Sequence, residues 1–248
     1  MKKAIWNLAC FALPFLLLSA PLSAASIHKA QLYGAWQLKA ASAEGELMHT
    51  LLFSGQYFSW TIYRAETGAF ISTQGGSWAL SGEKLRIEYE FSSADSTRVG
   101  TAEEWMLTYQ DGQLFLAGAG GPAGAWKAVE AGAATPLSGP WLFAGRERDG
   151  EITRRNTDQP RKTMKILTGT RFQWVAFDTE TKRFFGTGGG TYTAENGVYT
   201  ERIEFFSRDD ARVGAELQFQ FRVDGTDWHH QGKSTAGEPM YEIWSKRQ

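Results

Sequence analysis

Two glycine-rich segments carry residue types that bind phosphate in nucleotide-dependent proteins. Gly232-Lys233-Ser234 resembles the end of a phosphate-binding loop, but that motif needs a helix afterwards and a glycine five positions before Gly232, where this chain has Asp227. A strand-like segment, residues 241–244, follows instead. Residues 186–190 are glycine-rich but lack the strand-to-helix context of a dinucleotide loop. We therefore expect a polar hairpin loop, a strand and no cofactor.

The histidines and the cysteine do not form a metal-binding or nucleophilic pattern. His229 and His230 are adjacent, so on a strand they point to opposite faces and do not chelate one ion together. His28 and His49 lie in other regions, and Cys10 is the only cysteine. We expect no metal site and no catalytic residue. An enzyme would need a titratable side chain that points into the fold.

One acid–base set occurs twice and is the best catalytic-looking constellation in the sequence. Glu90, Asp95 and Arg98 recur 114 residues later, as Glu204, Asp209 and Arg212. Because Phe91 and Val99 are expected on the buried face, strand alternation puts Glu90 and Arg98 outside. We interpret the set as a surface cross-strand ion pair with an aspartate that caps a turn.

The whole chain contains an internal duplication. A shift of 114 residues places Phe58 and Trp60 on Phe172 and Trp174, and no gap is needed between residues 55 and 118. The second copy carries about nine extra residues near 146–160. We predict one domain at 26–130, a linker at 131–136 and a second domain at 137–248.

Each copy has the pattern of an antiparallel β domain. Residues 215–223 alternate apolar and polar side chains, as a strand with one buried face requires. Turn signals such as Asp111-Gly112 and Asn196-Gly197 divide about eight strands per copy. A sandwich and a barrel both fit this count, but glycines 188–190 in the middle of a strand favour the sharp coiling of a small barrel. The predicted fold is all-β: two tandem up-and-down barrels of about eight strands each.

Inward aromatic residues are the candidate ligand-binding set. Strand alternation places a group of them in each barrel, where they either fill the core or leave a cleft for an apolar ligand. The candidates are Trp60, Trp78, Tyr89 and Trp105 in the first copy, and Trp174, Tyr192, Phe205 and Phe219 in the second.

The first 25 residues have the order of a secretory signal peptide. Lys2 and Lys3 precede an apolar run, and small residues follow up to Ala25. We expect cleavage after Ala25, or alternatively after Ala24, and a mature chain in the periplasm or secreted, without a cysteine. No later segment is long enough for a transmembrane span. The chain has 26 Lys and Arg against 27 Asp and Glu, so it has no basic excess for binding nucleic acid.

A Gly-x-Trp motif opens each copy, and a basic residue stands beside a Trp near its end. This pattern resembles the lipocalin and broader calycin family, and the layout is similar to secreted lipocalin-like domains of unknown function from Gram-negative bacteria, Bacteroidetes in particular. The resemblance implies a barrel whose first Trp closes one end under a cationic side chain. The matching positions are Trp36 with Lys127, and Trp141 with Lys246 or Arg247.

Three functions remain open on the sequence alone. The leading hypothesis is a secreted or periplasmic, non-enzymatic protein that carries or sequesters a small hydrophobic ligand in one or both barrels. The second is a structural or interaction module with solid barrel cores, which engages a glycan or an envelope protein. The third is a calycin-type enzyme.

Overall fold

A computed structural model describes residues 27–118, 123–129, 134–233 and 237–248. The expected signal segment and part of the expected linker, residues 131–133, lie outside these ranges. After a single helical turn, α1 (Lys29–Leu32), every long element is a strand. The first eight strands are β1 (Gly34–Ser42), β2 (Gly45–Ser54), β3 (Tyr57–Arg64), β4 (Phe70–Ser81), β5 (Lys84–Ser92), β6 (Ala102–Gln110), β7 (Gln113–Ala117) and β8 (Ala125–Ala128).

The first eight strands form a closed antiparallel barrel in chain order. Each strand pairs with the next, and β1 pairs with β8 to close the cylinder. Positive-φ residues occupy the tight turns, for example Asp111 and Gly112 between β6 and β7.

The second copy forms a second barrel and adds one strand. Its strands are β9 (Gly139–Arg148), β10 (Glu151–Arg154), β11 (Arg161–Leu167), β12 (Arg171–Asp178), β13 (Arg183–Glu195), β14 (Val198–Phe206), β15 (Glu216–Asp224), β16 (Asp227–Lys233) and β17 (Pro239–Lys246). β9 pairs with β17 and closes the barrel, whereas β10 pairs with β9 alone. The insertion expected near 146–160 is this extra hairpin. The prediction of two tandem antiparallel barrels is confirmed.

One end of each barrel is plugged by the segment that precedes its first strand. The indole Nε1 of Trp36 donates to the carbonyl of Leu32 at 3.0 Å, and that of Trp141 donates to the carbonyl of Leu137 at 2.7 Å. Leu32 and Leu137 are fully buried. We call the opposite end of each barrel its mouth. In the second barrel the mouth carries the loops around residues 148–161, 178–183 and 206–216.

A β-bulge in the first barrel changes which residues face inward. Gly75 pairs with Phe91, but the next residue, Gly76, pairs with Tyr89, so Glu90 has no partner on β4. The extra residue reverses the alternation of β5. Tyr89 therefore packs inside the barrel, whereas Phe91 packs outside it against the second barrel.

The second barrel has the same bulge, between Gly189 and Gly190. Ile203 points inward there, and Phe205 points outward. Phe205 was expected to line the interior, and that expectation is wrong because strict alternation does not hold across the bulge.

Aromatic pairs join the two barrels about an approximate two-fold axis. Tyr63 stacks on Phe205 with the ring centroids 5.0 Å apart, and Phe91 packs against Phe177 at 5.1 Å. Phe177 and Phe205 are the repeat counterparts of Tyr63 and Phe91. The two contacts are therefore equivalent, because the approximate two-fold axis relates one to the other.

Two further contacts extend this interface. Phe70 stacks on its own counterpart, Phe184, with an interplanar angle of 8°. At the plugged ends, the Ser54 hydroxyl donates to the carbonyl of Leu167 at 2.8 Å. The two barrels thus pack as one body.

A buried polar seam crosses the same interface. The Gln173 side-chain amide donates to the hydroxyls of Thr73 and Thr187, and its oxygen accepts from Thr61, each at 2.9 Å. Thr61 and Thr73 belong to the first barrel. One glutamine therefore provides hydrogen-bond partners for three threonine hydroxyls, two from the first barrel and one from the second. These bonds fix how the two barrels are positioned against each other.

The repeated acid–base set is divided between turns and the barrel interface. The Arg247 guanidinium pairs with Glu90 through two hydrogen bonds of 2.6 and 2.8 Å, so the expected Glu90–Arg98 pair is absent among these described residues. Arg98 instead pairs with Glu103 at 2.5 Å. Asp95 caps a turn, as expected, by accepting from the Thr97 amide at 2.9 Å.

The second copy of the set differs in the same way. Glu204 pairs with Arg171 at 2.7 Å and accepts from the Tyr63 hydroxyl of the first barrel at 2.9 Å. Asp209 caps its turn through the Ala211 amide. Both glutamates are bulge residues that connect the barrels, so the surface ion-pair interpretation is wrong for Glu90 and Glu204.

Candidate functional site

The middle of the first barrel is filled by apolar side chains. Trp105 and Trp126 are fully buried there, and Leu51, Leu85 and Ile87 pack around them. A cleft of about 170 Å³ opens beside Trp60, and polar side chains of β4 such as Thr73 and Gln74 line part of it.

The second barrel holds a buried ion pair at the same depth. The ammonium of Lys165 on β11 lies 2.6 Å from a carboxylate oxygen of Glu201 on β14, and both side chains are 6% exposed. The same oxygen accepts from the Tyr199 hydroxyl at 2.7 Å. Tyr199 and Glu201 lie on the buried parity of β14, and Lys165 pairs across β9 and β11 with the buried, barrel-closing Trp141.

Four aromatic rings surround the Lys165 ammonium. Its nitrogen lies 5.0 Å from the ring centroid of Trp228, 5.1 Å from Tyr199, 5.2 Å from Trp244 and 5.9 Å from Phe172. Such faces attract a cation, and the attraction is stronger in a desolvated site.

A second titratable pair lies beside the first. His230 on β16 is 2% exposed, and its Nδ1 lies 3.5 Å from a carboxylate oxygen of Glu242 on β17. That oxygen also accepts from the Trp244 indole at 3.0 Å. Neither His230 ring nitrogen has a hydrogen-bond partner in the described structure, and neither does Nε1 of the fully buried Trp228.

The pKa values in this cluster follow from burial and from the neighbouring charges. Burial lowers the pKa of His230, and the charge of Lys165 lowers it further. For Glu242, burial acts to raise the pKa, but the adjacent His230 imidazole and the Lys165 charge together lower it. Burial and the Glu201 charge raise the pKa of Tyr199. These shifts favour the neutral form of the His230 imidazole and the ionised form of the Glu242 carboxylate.

The first barrel has aliphatic residues at five of the positions that form this cluster in the second. The strand pairings match Lys165 with Leu51 and Glu201 with Ile87, because Lys165 and Leu51 each pair with the barrel-closing Trp. The same comparison places Tyr199, Trp228 and His230 opposite Leu85, Leu114 and Leu116. The fold therefore does not require polar groups at these positions.

Half-buried apolar side chains lie between the cluster and the mouth of the second barrel. Trp174 and Phe206 contact each other at 5.6 Å, and Phe143 contacts Trp244 at 5.6 Å. Leu217 and Met240 complete this layer. This layer separates the polar cluster from the mouth.

The predicted ligand-binding residues fall into three places. Trp60, Trp78, Tyr89 and Trp105 pack inside the first barrel. Tyr192 and Phe219 are buried in the second, and Trp174 is half-buried toward its mouth. Phe205 lies between the barrels. Two members of this set touch the polar cluster: the Phe219 ring lies 4.0 Å from that of His230, and the Tyr192 ring lies 5.5 Å from that of Tyr199.

The expected barrel-closing pairs differ between the copies. The Lys246 ammonium lies 4.5 Å from the ring centroid of Trp141. No cation lies over Trp36 in the described part of the chain, where Tyr109 contacts the ring edge-on at 6.2 Å. Lys127 is exposed on β8, and Arg247 stacks on Tyr57 at 3.8 Å instead of on Trp141.

Neither a metal centre nor a membrane-spanning helix is found among the described residues. They contain no group of three or more His, Cys, Asp or Glu side chains that could hold a metal ion. They also contain no helix that is long and apolar enough to cross a bilayer.

The sequence patterns did not predict Lys165, Glu201, His230 or Glu242 as site residues. A signal for three of them was present, because the shift of 114 residues places Lys165 on Leu51, Glu201 on Ile87 and His230 on Leu116. A charged residue opposite an aliphatic one at a buried position is that signal.

In comparisons with known proteins, no family model and no curated protein matches this chain.

Proposed function

We propose that this protein is an exported, non-enzymatic binding protein whose second barrel takes up a small, largely apolar ligand that carries a hydrogen-bonding group. The observation that carries this proposal is the buried and incompletely satisfied polar cluster of the second barrel, at positions that are aliphatic in the first. The first barrel then has a structural role. The order of residues 1–25 supports export to the periplasm or the medium.

The energetics support a functional role for the cluster. Replacing a buried ion pair with well-packed apolar residues is often neutral or stabilising, by about 1–4 kcal/mol. A buried donor or acceptor without a partner costs about 1–3 kcal/mol. The second barrel retains both features although its sister barrel does without them. Such local departures from an optimal core are typical of functional sites.

The unpaired atoms define what the ligand must offer. Trp228 Nε1 is a donor only, and a neutral His230 ring offers one donor and one acceptor. A ligand hydroxyl can accept from one of these donors and donate to the imidazole acceptor, whereas a carbonyl can only accept from the donors. The half-buried layer at the mouth then packs against the apolar body of the ligand. Both carboxylates already have partners, Glu201 with Lys165 and Glu242 with Trp244, which supports binding rather than proton transfer.

Calorimetric titration with neutral lipids, retinoids and long-chain alcohols tests the proposal. Wild-type protein should bind at least one class saturably. The variant Trp228→Leu/His230→Leu introduces the residues of the first barrel and should lose this binding while remaining folded. Trp105→Phe, which introduces the second-barrel residue into the first barrel, is the matched control and should bind normally. If none of the probes binds saturably, the proposal is contradicted.

A second candidate function is supported by a cleft between the barrels. This cleft of about 620 Å³ lies near the plugged ends and is lined by Tyr33, Phe53, Thr168 and Lys246, among others. Tyr33 is 46% exposed at its edge. A glycan or envelope-protein partner in this cleft would lose affinity on Tyr33→Ala, while uptake by the second barrel would not change.

A further inference from the structure

Three arginines converge on one phenylalanine at the mouth of the second barrel. The guanidinium carbon of Arg161 lies 3.7 Å from the ring centroid of Phe185, and that of Arg183 lies 5.1 Å from it. Arg208 donates from Nε and Nη2 to the Phe185 carbonyl, at 3.1 and 2.8 Å. We call these four residues the arginine cluster.

The arginine cluster leaves most of its donors free. A guanidinium stacked on an aromatic ring uses its face, so its N–H edges remain available to a planar oxyanion. In the described structure, Arg161 and Arg183 make no side-chain hydrogen bond, and none of the three arginines has a carboxylate within ion-pair distance. Asp178 is the cross-strand partner of both Arg161 and Arg183 but lies outside ion-pair distance of them, and its Oδ1 accepts from the amides of Glu180 and Thr181.

A glycine makes room for the third arginine. A Cβ atom on Gly186 would lie 2.5 Å from Arg208 Nε and 3.0 Å from Arg208 Cζ. The guanidinium thus lies across the backbone in space that a side chain at residue 186 would occupy. The repeat counterpart of Gly186 in the first barrel is Ser72.

The first barrel has no equivalent of this cluster. The shift of 114 residues places Arg161, Arg183 and Arg208 on Leu47, Ala69 and Ala94, and it places Phe185 on the exposed Ile71. Three like charges held near one ring repel each other, and the fold does not require them. A bound anion would offset this repulsion.

The cluster is continuous with the apolar mouth of the barrel. The Arg208 guanidinium lies 6.0 Å from the ring centroid of Trp174, which packs on Phe206 in the half-buried layer. We propose that the ligand of the second barrel is an amphiphile with an oxyanion head group, which Arg161, Arg183 and Arg208 bind at the rim. This inference rests on the proposed function and adds the charge of the ligand to it.

A matched set of probes tests the charge preference. ω-Hydroxydodecanoate, dodecanediol and aminododecanol share a chain and one terminal hydroxyl, and they differ only in the other end. In calorimetric titrations, wild-type protein should bind the carboxylate about tenfold more tightly than the diol, and the amine most weakly. The variant Arg161→Leu/Arg183→Ala/Arg208→Ala carries the residues of the first barrel and should bind the carboxylate and the diol equally.

A second variant keeps every charge. Gly186→Ala should displace Arg208 and weaken carboxylate binding about threefold without changing diol binding. Equal affinity of the wild type for the three probes overturns the arginine assignment but leaves uptake by the barrel intact. Retention of the preference in the triple variant also overturns it. No binding of any probe contradicts the proposed function itself.

Discussion

The Lys165 ammonium lies 2.6 Å from Glu201 Oε1 inside the second barrel, at the two positions where the first barrel has Leu51 and Ile87. The chain thus contains the same barrel twice, once with an ion pair at this place and once with aliphatic side chains. The first barrel is an internal reference for what the architecture needs. The difference between the two is the basis for the binding role that we propose for the second barrel.

Removing the polar triad together should not weaken the second barrel. The variant Lys165→Leu/Tyr199→Phe/Glu201→Ile replaces the buried charges with apolar groups of similar size. We expect a free energy of unfolding in urea equal to the wild-type value or up to about 4 kcal/mol higher, because the desolvation of both charges is relieved.

The single variant Glu201→Ile is the control for this prediction. It leaves the Lys165 ammonium buried without its carboxylate, so the free energy of unfolding should fall by about 3–5 kcal/mol. A triple variant that is as unstable as this single variant would show that the ion pair holds the barrel together.

Stability should decrease as the pH falls below about 6.5, and His230 should carry part of that decrease. The folded-state pKa of His230 is lowered by burial and by Lys165, against the opposing influence of Glu201 and Glu242. The unfolded chain therefore binds a proton first. This contribution to stability is complete above the unfolded-state pKa and is lost as the pH falls toward the folded-state pKa.

Urea denaturation of wild type and His230→Leu from about pH 7.5 to about pH 5.5 measures this contribution. The wild-type slope should exceed that of the variant by at most about 1.4 kcal/mol per pH unit, the limit for one proton. The pKa values of His49 and His229 are also lowered by burial, so both proteins should retain some slope. Identical slopes would contradict a buried neutral His230.

Loss of the Gln173 side chain should weaken the junction between the barrels. Gln173→Ala leaves the buried hydroxyls of Thr61 and Thr73 without this partner, and we expect a loss of about 1–3 kcal/mol in the free energy of unfolding. Gln231→Ala on the exposed face of β16 is the control and should change stability by less than about 0.5 kcal/mol. Equal effects would mean that the seam contributes nothing specific.

The sequence predicts the two barrels because the internal repeat has a constant shift and the turn signals depend only on adjacent residues. Hairpins such as the one at Asp111-Gly112 lie where the turn residues place them. The direction of Phe91 and Phe205 was not predicted, because one extra residue in a bulge reverses alternation and glycines mark such bulges only ambiguously.

The site itself was less predictable than the fold. His230 was correctly placed on the face opposite His229. Its neighbour Glu242 lies directly across the β16–β17 pair, whereas Lys165 comes from a strand far away in the sequence. Glu90 and Arg247 likewise meet only because the barrels pack together. Contacts of this kind depend on tertiary packing, which single-strand patterns do not contain.

The most direct measurement of the central claim is the ¹⁵N–¹H spectrum of the tryptophan indoles during titration with ω-hydroxydodecanoate. The Trp228 indole has no acceptor in the free structure, whereas the Trp36 and Trp141 indoles donate to backbone carbonyls at the plugged ends. We predict that the Trp228 signal shifts most, with Trp174 and Trp244, while Trp36, Trp105 and Trp126 of the first barrel stay in place. Shifts confined to the first-barrel indoles, or no shift at saturating ligand, would contradict the account.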